Sequence, residues 1–141
     1  MKHWVAIAVI FACTLAYAGE RADPAFERLS KVEVFAFGGI GRAGVTSPGE
    51  KDFRIILSRP SAMADFERLY TAGNLQAKSY ALAGIRMLDT NRFKGLLRSL
   101  GDSKETVQTQ SGCLVFHESL GEVLKHIAAG QYSRSYMQQP R

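Results

Sequence analysis

Four consecutive amphipathic segments in the middle of the chain constrain the fold more than any other feature. From residue 47 to residue 100, apolar side chains recur at the spacing that gathers them on one face of an α-helix. Short helices joined by brief breaks usually pack together as helical hairpins, so we expect a helical layer here. The four stripes are Phe53, Ile56 and Leu57; Met63, Phe66, Leu69 and Tyr70; Leu75, Leu82, Ile85 and Leu88; and Phe93, Leu96, Leu97 and Leu100.

Capping residues and helix breakers separate these segments. Ser47 followed by Pro48 is typical of a helix start, because the serine side chain can cap and proline fits the first turn. Pro60 ends the first helix, Asn74 can cap the third, and Gly101 ends the fourth.

A further helix is predicted at each end of this layer. Asp23 and Pro24 open a short helix near the start of the domain. Ser119 can cap a last amphipathic helix that stops at Gly130. Residues 131–141 lack a periodic apolar face, so we expect a loose tail, with Tyr132, Arg134, Tyr136 and Arg141 as an alternative contact segment.

β-structure is predicted on both sides of the helical layer. Lys31–Phe37 is β-branched and aromatic, which favours a strand with apolar residues on both faces. A β-hairpin is predicted near residues 106–117, where Ser111 and Gly112 separate two β-like runs. The expected fold is therefore α+β and mostly helical, with four or more short amphipathic helices packed with a small sheet.

The proposed turn fixes a register for this hairpin. If Ser111 and Gly112 are its two central residues, Gln110 faces Cys113 and Val107 faces Phe116. One face then carries residues predicted to join the core, and the other face is mixed. The first face comprises Val107, Thr109, Leu114 and Phe116; the second comprises Gln108, Gln110, Cys113, Val115 and His117.

The first 18 residues have the pattern of a secretory signal peptide. A basic start at Lys2 precedes an apolar run too short to span a bilayer, and the segment ends in Ala-Tyr-Ala. Cleavage between Ala18 and Gly19 would export a single domain over residues 19–130, to the periplasm or the extracellular space, with no transmembrane helix in the mature chain. Residues 10–13, Ile-Phe-Ala-Cys, also resemble a lipoprotein box, which leaves lipidation of Cys13 as an alternative.

Loss of the signal peptide would leave Cys113 as the mature chain's one cysteine. An intramolecular disulfide is then impossible, so an apolar core has to hold the fold. We expect this thiol to be buried or half-buried, as free cysteines usually are, and intermolecular pairing is the alternative.

The net charge is weakly positive. The sequence has 18 basic and 13 acidic residues, and removing Lys2 leaves 17 against 13, or +4. No run of lysines and arginines occurs, so a nucleic-acid partner is not expected. Residues 74–100 are basic, which suits either a solvated helix surface or contact with anionic lipid, glycan or an acidic protein; the cations are Lys78, Arg86, Arg92, Lys94 and Arg98.

A G-x-G-x-x-G pattern from Gly39 to Gly44 resembles a dinucleotide-binding loop, but its context differs. Such a loop opens a helix at its last glycine, whereas the predicted helix here starts only at Ser47 and Pro48. We therefore expect no nucleotide cofactor. The glycines are predicted to permit a turn or a close approach between elements.

Catalytic candidates are few. Cys113 and His117 lie about 13 Å apart if both are on one strand, too far to form a thiol–imidazole pair. His117 and Glu118 lack the second histidine of a metalloprotease helix, and Glu118 with Glu122 is better explained as a solvated helix start. His126 is expected on a helix surface. No metal site is predicted, because three or four ligands at paired spacing are missing.

These observations favour a small exported, non-enzymatic protein that binds another macromolecule, such as an inhibitor or immunity-type protein. Its partner would be a protein or an anionic component of the envelope. A small envelope hydrolase or transferase with dispersed residues is the second hypothesis, in which Cys113, His117 and Glu118 are the catalytic candidates. A structural component anchored through Cys13 is the third.

Overall fold

The computed structural model describes residues 23–133, and the predicted signal peptide, Cys13 and residues 134–141 lie outside this range. Over the described residues the chain forms six helices and two small antiparallel sheets, which confirms the predicted α+β, mostly helical fold. The elements in chain order are α1 Pro24–Ser30, β1 Gly39–Ile40, β2 Val45–Thr46, α2 Pro48–Leu57, α3 Ala62–Ala72, α4 Leu75–Leu88, α5 Thr90–Leu100, β3 Thr106–Ser111, β4 Leu114–Ser119 and α6 Leu120–Ala128.

Five of the six helices described begin with a side-chain capping hydrogen bond, and α3 begins after Ser61 without such a bond. Asp23, Ser47, Asn74, Asp89 and Ser119 each accept a hydrogen bond from a backbone amide in the first turn of the following helix. These bonds satisfy amides that have no partner within the helix, so the local sequence fixes these five starts. Within residues 23–133 none of the helices has the length and apolarity needed to cross a bilayer.

Helix α4 forms the centre of the core. Its residues 79–85 are all buried, and its main helical neighbour is α3. Gly84 lies directly under the Phe66 ring, so the absence of a side chain there lets the two helices approach closely. An aromatic cluster of Phe35, Phe37, Phe53, Phe66 and Tyr80 continues the core toward the sheets.

The strand predicted over Lys31–Phe37 is wrong in extent. Only Phe35 pairs with the sheet, in a parallel bridge to Thr109 of β3. The Phe35 amide donates to the Gln108 carbonyl at 2.8 Å, and the Gln110 amide donates to the Phe35 carbonyl at 3.1 Å.

Side chains, rather than a neighbouring strand, bind the backbone immediately after Phe35. The Tyr80 hydroxyl donates to the Ala36 carbonyl at 2.7 Å, and the Ser47 hydroxyl donates to the same carbonyl at 2.8 Å. Two residues further on, the Gly38 amide donates to the buried Glu50 carboxylate. These bonds satisfy the buried backbone without a sheet ladder, so regular pairing stops after one bridge.

The glycine-rich loop forms a small hairpin. Strands β1 and β2 pair with Gly39 opposite Thr46, and residues 41–44 make the turn. Gly41 has φ of +68°, a conformation that glycine adopts without strain, whereas Gly39 has no positive φ. The pattern therefore lies in a strand–turn–strand unit, and α2 begins separately at Pro48.

The larger hairpin forms as predicted, but with a different turn and register. Ser111 pairs with Leu114, so Gly112 and Cys113 are the central residues, and Val107 faces Glu118 instead of Phe116. Gly112 has φ of +57° while no other residue type in the described chain has a positive φ, which matches a type II′ turn with glycine first. The predicted turn would have placed Ser111 first, where glycine is strongly preferred.

The change in pairing preserves the predicted faces, because the register moves by two residues and side chains alternate with period two. Burial, however, follows the prediction only near the base of the hairpin. Val107 and Thr109 are buried, whereas Leu114 and Phe116 are exposed. The tip therefore extends beyond the core.

Candidate functional site

A cavity of about 490 Å³ lies between the β3–β4 hairpin, the bridge residue Phe35 and the end of α6. Its aromatic wall is formed by Phe35, Phe37, Phe116 and Tyr132. The Tyr132 ring is stacked on Phe37 at a centroid distance of 5.1 Å and meets Phe35 edge-on at 5.1 Å. Tyr132, which lies just beyond the predicted domain boundary at residue 130, therefore packs against the aromatic core.

The polar side of the cavity centres on Glu118. The Thr109 hydroxyl donates to one Glu118 carboxylate oxygen at 2.5 Å, and His126 Nδ1 lies 3.6 Å from the other oxygen. Thr109 and Glu118 are diagonal neighbours on one face of the hairpin, because Val107 is opposite Glu118 and Thr109 is opposite Phe116. The Glu118 side chain is 25% exposed and that of His126 is 39% exposed, so both remain open to the cavity.

The electrostatics of the cavity follow from its lining. Among the described residues, Glu118 supplies the one carboxylate of the lining, His117 and His126 supply imidazoles, and neither lysine nor arginine lines the cavity. The described part of the chain has no cluster of three or more His, Cys, Asp or Glu side chains that could hold a metal ion. The cavity thus combines a partly buried anionic centre with an aromatic wall.

Two of the three catalytic candidates from the sequence line the cavity, and the third does not. His117 and Glu118 both line it, whereas Cys113 does not. The expected burial of Cys113 is wrong, because this residue occupies the hairpin turn and its thiol is exposed. The structure therefore does not bring Cys113 to the two other candidates.

Glu118 and Glu122 belong to different elements and do not share a helix face. Glu118 lies on β4, while Glu122 in the first turn of α6 closes a capping box with Ser119. The lowered pKa of Glu122 reflects the Ser119 backbone amide and then its hydroxyl, both of which donate to the carboxylate. The helix-start explanation holds for Glu122, and Glu118 is instead a cavity residue.

An exposed apolar run adjoins the cavity. Leu114, Val115 and Phe116 are consecutive in β4, with 64%, 47% and 44% of their surfaces exposed. We call these three residues the hairpin surface. In the sheet, β4 pairs with β3 alone, whereas the opposite edge of β3 meets Phe35, so within the described residues the outer edge of β4 is unpaired.

The basic residues of α4 and α5 are partly engaged within the chain. Arg92 forms an ion pair with Glu67 at 3.2 Å, and Arg86 donates to the Ala128 carbonyl at 3.3 Å. Lys94 and Arg98 are exposed on α5. This distribution is typical of a solvated helix surface.

No family model matches the sequence, and neither the comparison with curated proteins nor that with solved structures finds a match. We therefore infer function from the residues of this chain.

The arrangement around Glu118 limits the chemistry available to the cavity. The Thr109 hydroxyl donates to the carboxylate and not to an imidazole, so no histidine activates it as a nucleophile. His126 Nδ1 lies 3.6 Å from the Glu118 carboxylate, which is too far for a hydrogen bond but close enough for an ion pair when the imidazole is protonated. The cavity therefore presents a positioned carboxylate that can accept further hydrogen bonds, with an imidazole beside it.

Among the other cavity residues, the sequence predicts Thr109 only to join the core, His126 only to lie on a helix surface, and Tyr132 only as part of an alternative contact segment. The period-two alternation placed Thr109 with Phe116 on one face, and this was the one signal that pointed to their proximity. His126 and Tyr132 reach the cavity because α6 packs against both strands of the hairpin and against α4.

Proposed function

We propose that this protein is a small exported, non-enzymatic module that binds a protein partner through the hairpin surface and the adjoining cavity. The observation that carries the proposal is the run of three exposed apolar residues on an unpaired strand edge. Soluble proteins usually protect such edges with charges, prolines or covering loops, and edges that stay apolar are sites where another strand can add.

The size of the hairpin surface suits a specific contact of moderate affinity. Leu114 and Phe116 project from the same face of β4 and each is about half exposed, so covering these two side chains contributes roughly 1.5–3 kcal/mol. Main-chain hydrogen bonds along β4 would add to this, and the cavity beside Phe116 offers a place for one side chain of the partner. An extended peptide segment fits this combination better than a rigid helix, because β4 presents an unpaired edge.

The hairpin surface can be tested with a double variant, Leu114→Thr with Phe116→Thr, expressed in the native host. Threonine keeps β-propensity while removing apolar surface. Val45→Thr is the matched control, since Val45 is 55% exposed on another strand. Mild crosslinking and affinity purification should recover one stoichiometric protein with the wild type and with Val45→Thr, but not with the double variant.

Equal recovery with all three proteins would overturn the use of the hairpin surface, and recovery of no stoichiometric partner would overturn protein binding. A crosslinked product at twice the mass of the chain would indicate that the surface joins two copies of this protein instead. Circular dichroism of the double variant provides the folding control, because both substituted side chains are exposed.

Export is a separate part of the proposal and rests on residues 1–18. Intact mass of the protein from cells tests it directly. A mature chain that starts at Gly19 supports cleavage of a signal peptide, while a diacylated Cys13 at the N-terminus supports the anchored alternative. A full-length cytoplasmic chain that retains Met1 would overturn export.

A small hydrolase is the second candidate, and the Glu118–His126 pair in the cavity favours it. The test is hydrolysis of p-nitrophenyl acetate by the wild type, by His126→Gln and by His117→Gln. Activity above that of free imidazole that falls in His126→Gln alone would support a general base at His126. Equal rates in all three proteins would remove this candidate.

A further inference from the structure

We propose that the cavity is a binding site for a cationic side chain, the ammonium or guanidinium end of a lysine or arginine supplied by the protein partner. The inference rests on the proposed function and names the residue type that enters the cavity. Its two supporting features are the carboxylate of Glu118 and the aromatic face of Phe116 beside it.

Glu118 has hydrogen-bonding capacity that residues 23–133 do not use. One carboxylate oxygen accepts from Thr109, and the other lies 3.6 Å from His126 Nδ1, beyond hydrogen-bonding distance. An ionised carboxylate has about four acceptor sites. The Thr109 bond fixes the orientation of the group, so a ligand would meet a carboxylate that is already positioned.

The charge of Glu118 is not balanced by a permanent cation. Among the described residues its one charge partner is His126, which carries a charge only when protonated, and the cavity lining contains neither lysine nor arginine. The carboxylate is three-quarters buried, so a cation brought to it would interact more strongly than at an exposed site. Charge complementarity therefore favours a cationic occupant over an anionic one.

Phe116 supplies the second contact. Residues 116 and 118 lie two apart on β4, so their side chains project from the same face of the strand about 7 Å apart. A cation between them would touch the carboxylate on one side and the aromatic ring on the other, within the range of a cation–π contact. Phe116 also belongs to the hairpin surface, so a partner strand at β4 would be adjacent to the site.

The stem of a lysine or arginine suits the rest of the cavity. Phe35, Phe37 and Tyr132 belong to the aromatic wall, and the methylene groups of a long side chain can pack against their rings. A neutral, hydroxyl-rich ligand such as a sugar could use the aromatic wall and the amide of Gln110, but it would leave the carboxylate without a cation. Titration with a probe of each class distinguishes a cationic side chain from a sugar.

The test is an NMR titration of uniformly ¹⁵N-labelled protein with N-acetyl-lysine methylamide, compared with the neutral, similarly shaped N-acetyl-norleucine methylamide. The lysine probe should shift the amide signals of residues 109–118, and the norleucine probe should bind about tenfold more weakly, since it lacks a charge-assisted hydrogen bond. N-acetyl-arginine methylamide should behave like the lysine probe.

Two variants locate the site. Glu118→Gln keeps an oxygen that can accept from Thr109 and removes the charge, so the preference for lysine over norleucine should disappear. Glu105→Gln is the matched control, because it makes the same change of net charge at an exposed position outside the cavity, and its preference should equal that of the wild type. Unchanged chemical-shift dispersion would show that both variants are folded.

Equal binding of the lysine and norleucine probes by the wild type, or an unchanged preference in Glu118→Gln, would overturn the cationic site. Shifts of the same signals by glucose or maltose without any by the lysine probe would overturn it in favour of a glycan site. Either result leaves the hairpin-surface experiment standing, because that experiment depends on Leu114 and Phe116 and on a partner protein. Conversely, if the lysine probe binds but no partner protein is recovered, the cationic site would be supported and the proposed function would be overturned.

Discussion

The hydroxyl of Tyr80 replaces a neighbouring strand at Ala36. It accepts a hydrogen bond from the Ala36 amide at 3.0 Å and donates one to the Ala36 carbonyl at 2.7 Å. Both backbone groups of one extended residue are therefore satisfied by a single side chain from α4, 44 positions along the chain. These two hydrogen bonds join α4 to the segment that carries Phe35 and Phe37, which form part of the aromatic wall of the cavity.

The Tyr80→Phe variant should lower the free energy of unfolding by about 1–3 kcal/mol, because the buried Ala36 amide would lose its partner. Urea denaturation measures the change. Tyr70→Phe is the control, since Tyr70 is half-buried and has no hydrogen bond from its hydroxyl among the described residues. Equal midpoints for the two variants would show that the Tyr80 bonds contribute little.

Stability should also fall at alkaline pH through Tyr80. Burial raises the pKa of Tyr80 from 10.0 to about 12. Below pH 10 both states keep the phenolic proton, and between about 10 and about 12 the unfolded state loses it first, so the free energy of unfolding decreases by about 2–3 kcal/mol. Urea denaturation should be measured at about pH 9 and at several higher pH values. The free energy of unfolding should fall more steeply with pH for the wild type than for Tyr80→Phe. Parallel pH profiles would contradict the raised pKa.

Two glycine substitutions should change the stability of the protein in opposite directions, because Gly84 lies at the close contact of α3 and α4 and Gly95 does not. A methyl group in Gly84→Ala would overlap the buried Phe66 ring, and we expect a loss of about 1–3 kcal/mol. Gly95→Ala on α5 places its methyl group in open space, so the helix propensity of alanine should stabilise the protein by about 0.5–1 kcal/mol. Thermal melts that shift in the same direction for both variants would contradict the packing described for Gly84.

The small hairpin predicts a backbone effect at Gly41. Its φ of +68° disfavours a side chain with a Cβ atom, although the space around it is open, so Gly41→Ala should cost about 1 kcal/mol. Gly41→Asn should cost less, because asparagine tolerates this conformation better. Chemical denaturation of the three proteins gives the order; an alanine variant as stable as the wild type would show that the turn can relax.

The helical part of the fold could be predicted from the sequence because its determinants are local. Ser47 and Asn74 cap α2 and α4 through bonds to amides three residues away, and each cap is visible as a polar residue before an apolar stripe. The fold class followed from these segments together with the hairpin.

The parts that could not be predicted depend on distant residues. The strand at Lys31–Phe37 stops after Phe35 because Tyr80 and Ser47 bind Ala36, and nothing in the local sequence indicates this. The cavity likewise joins β3 and β4 to Tyr132, which only tertiary packing brings together. His117 and Glu118 were identified by residue type, but the partners of Glu118 were not.

The exposed thiol at the hairpin turn makes this protein convenient to label. Within residues 23–133 Cys113 is the sole cysteine, and it directly precedes the hairpin surface. A maleimide dye attached there would sit within one residue of Leu114 without disturbing the core. Its emission and anisotropy would then follow the arrival of a partner in real time, and the same position could carry a spin label for measuring distances to it.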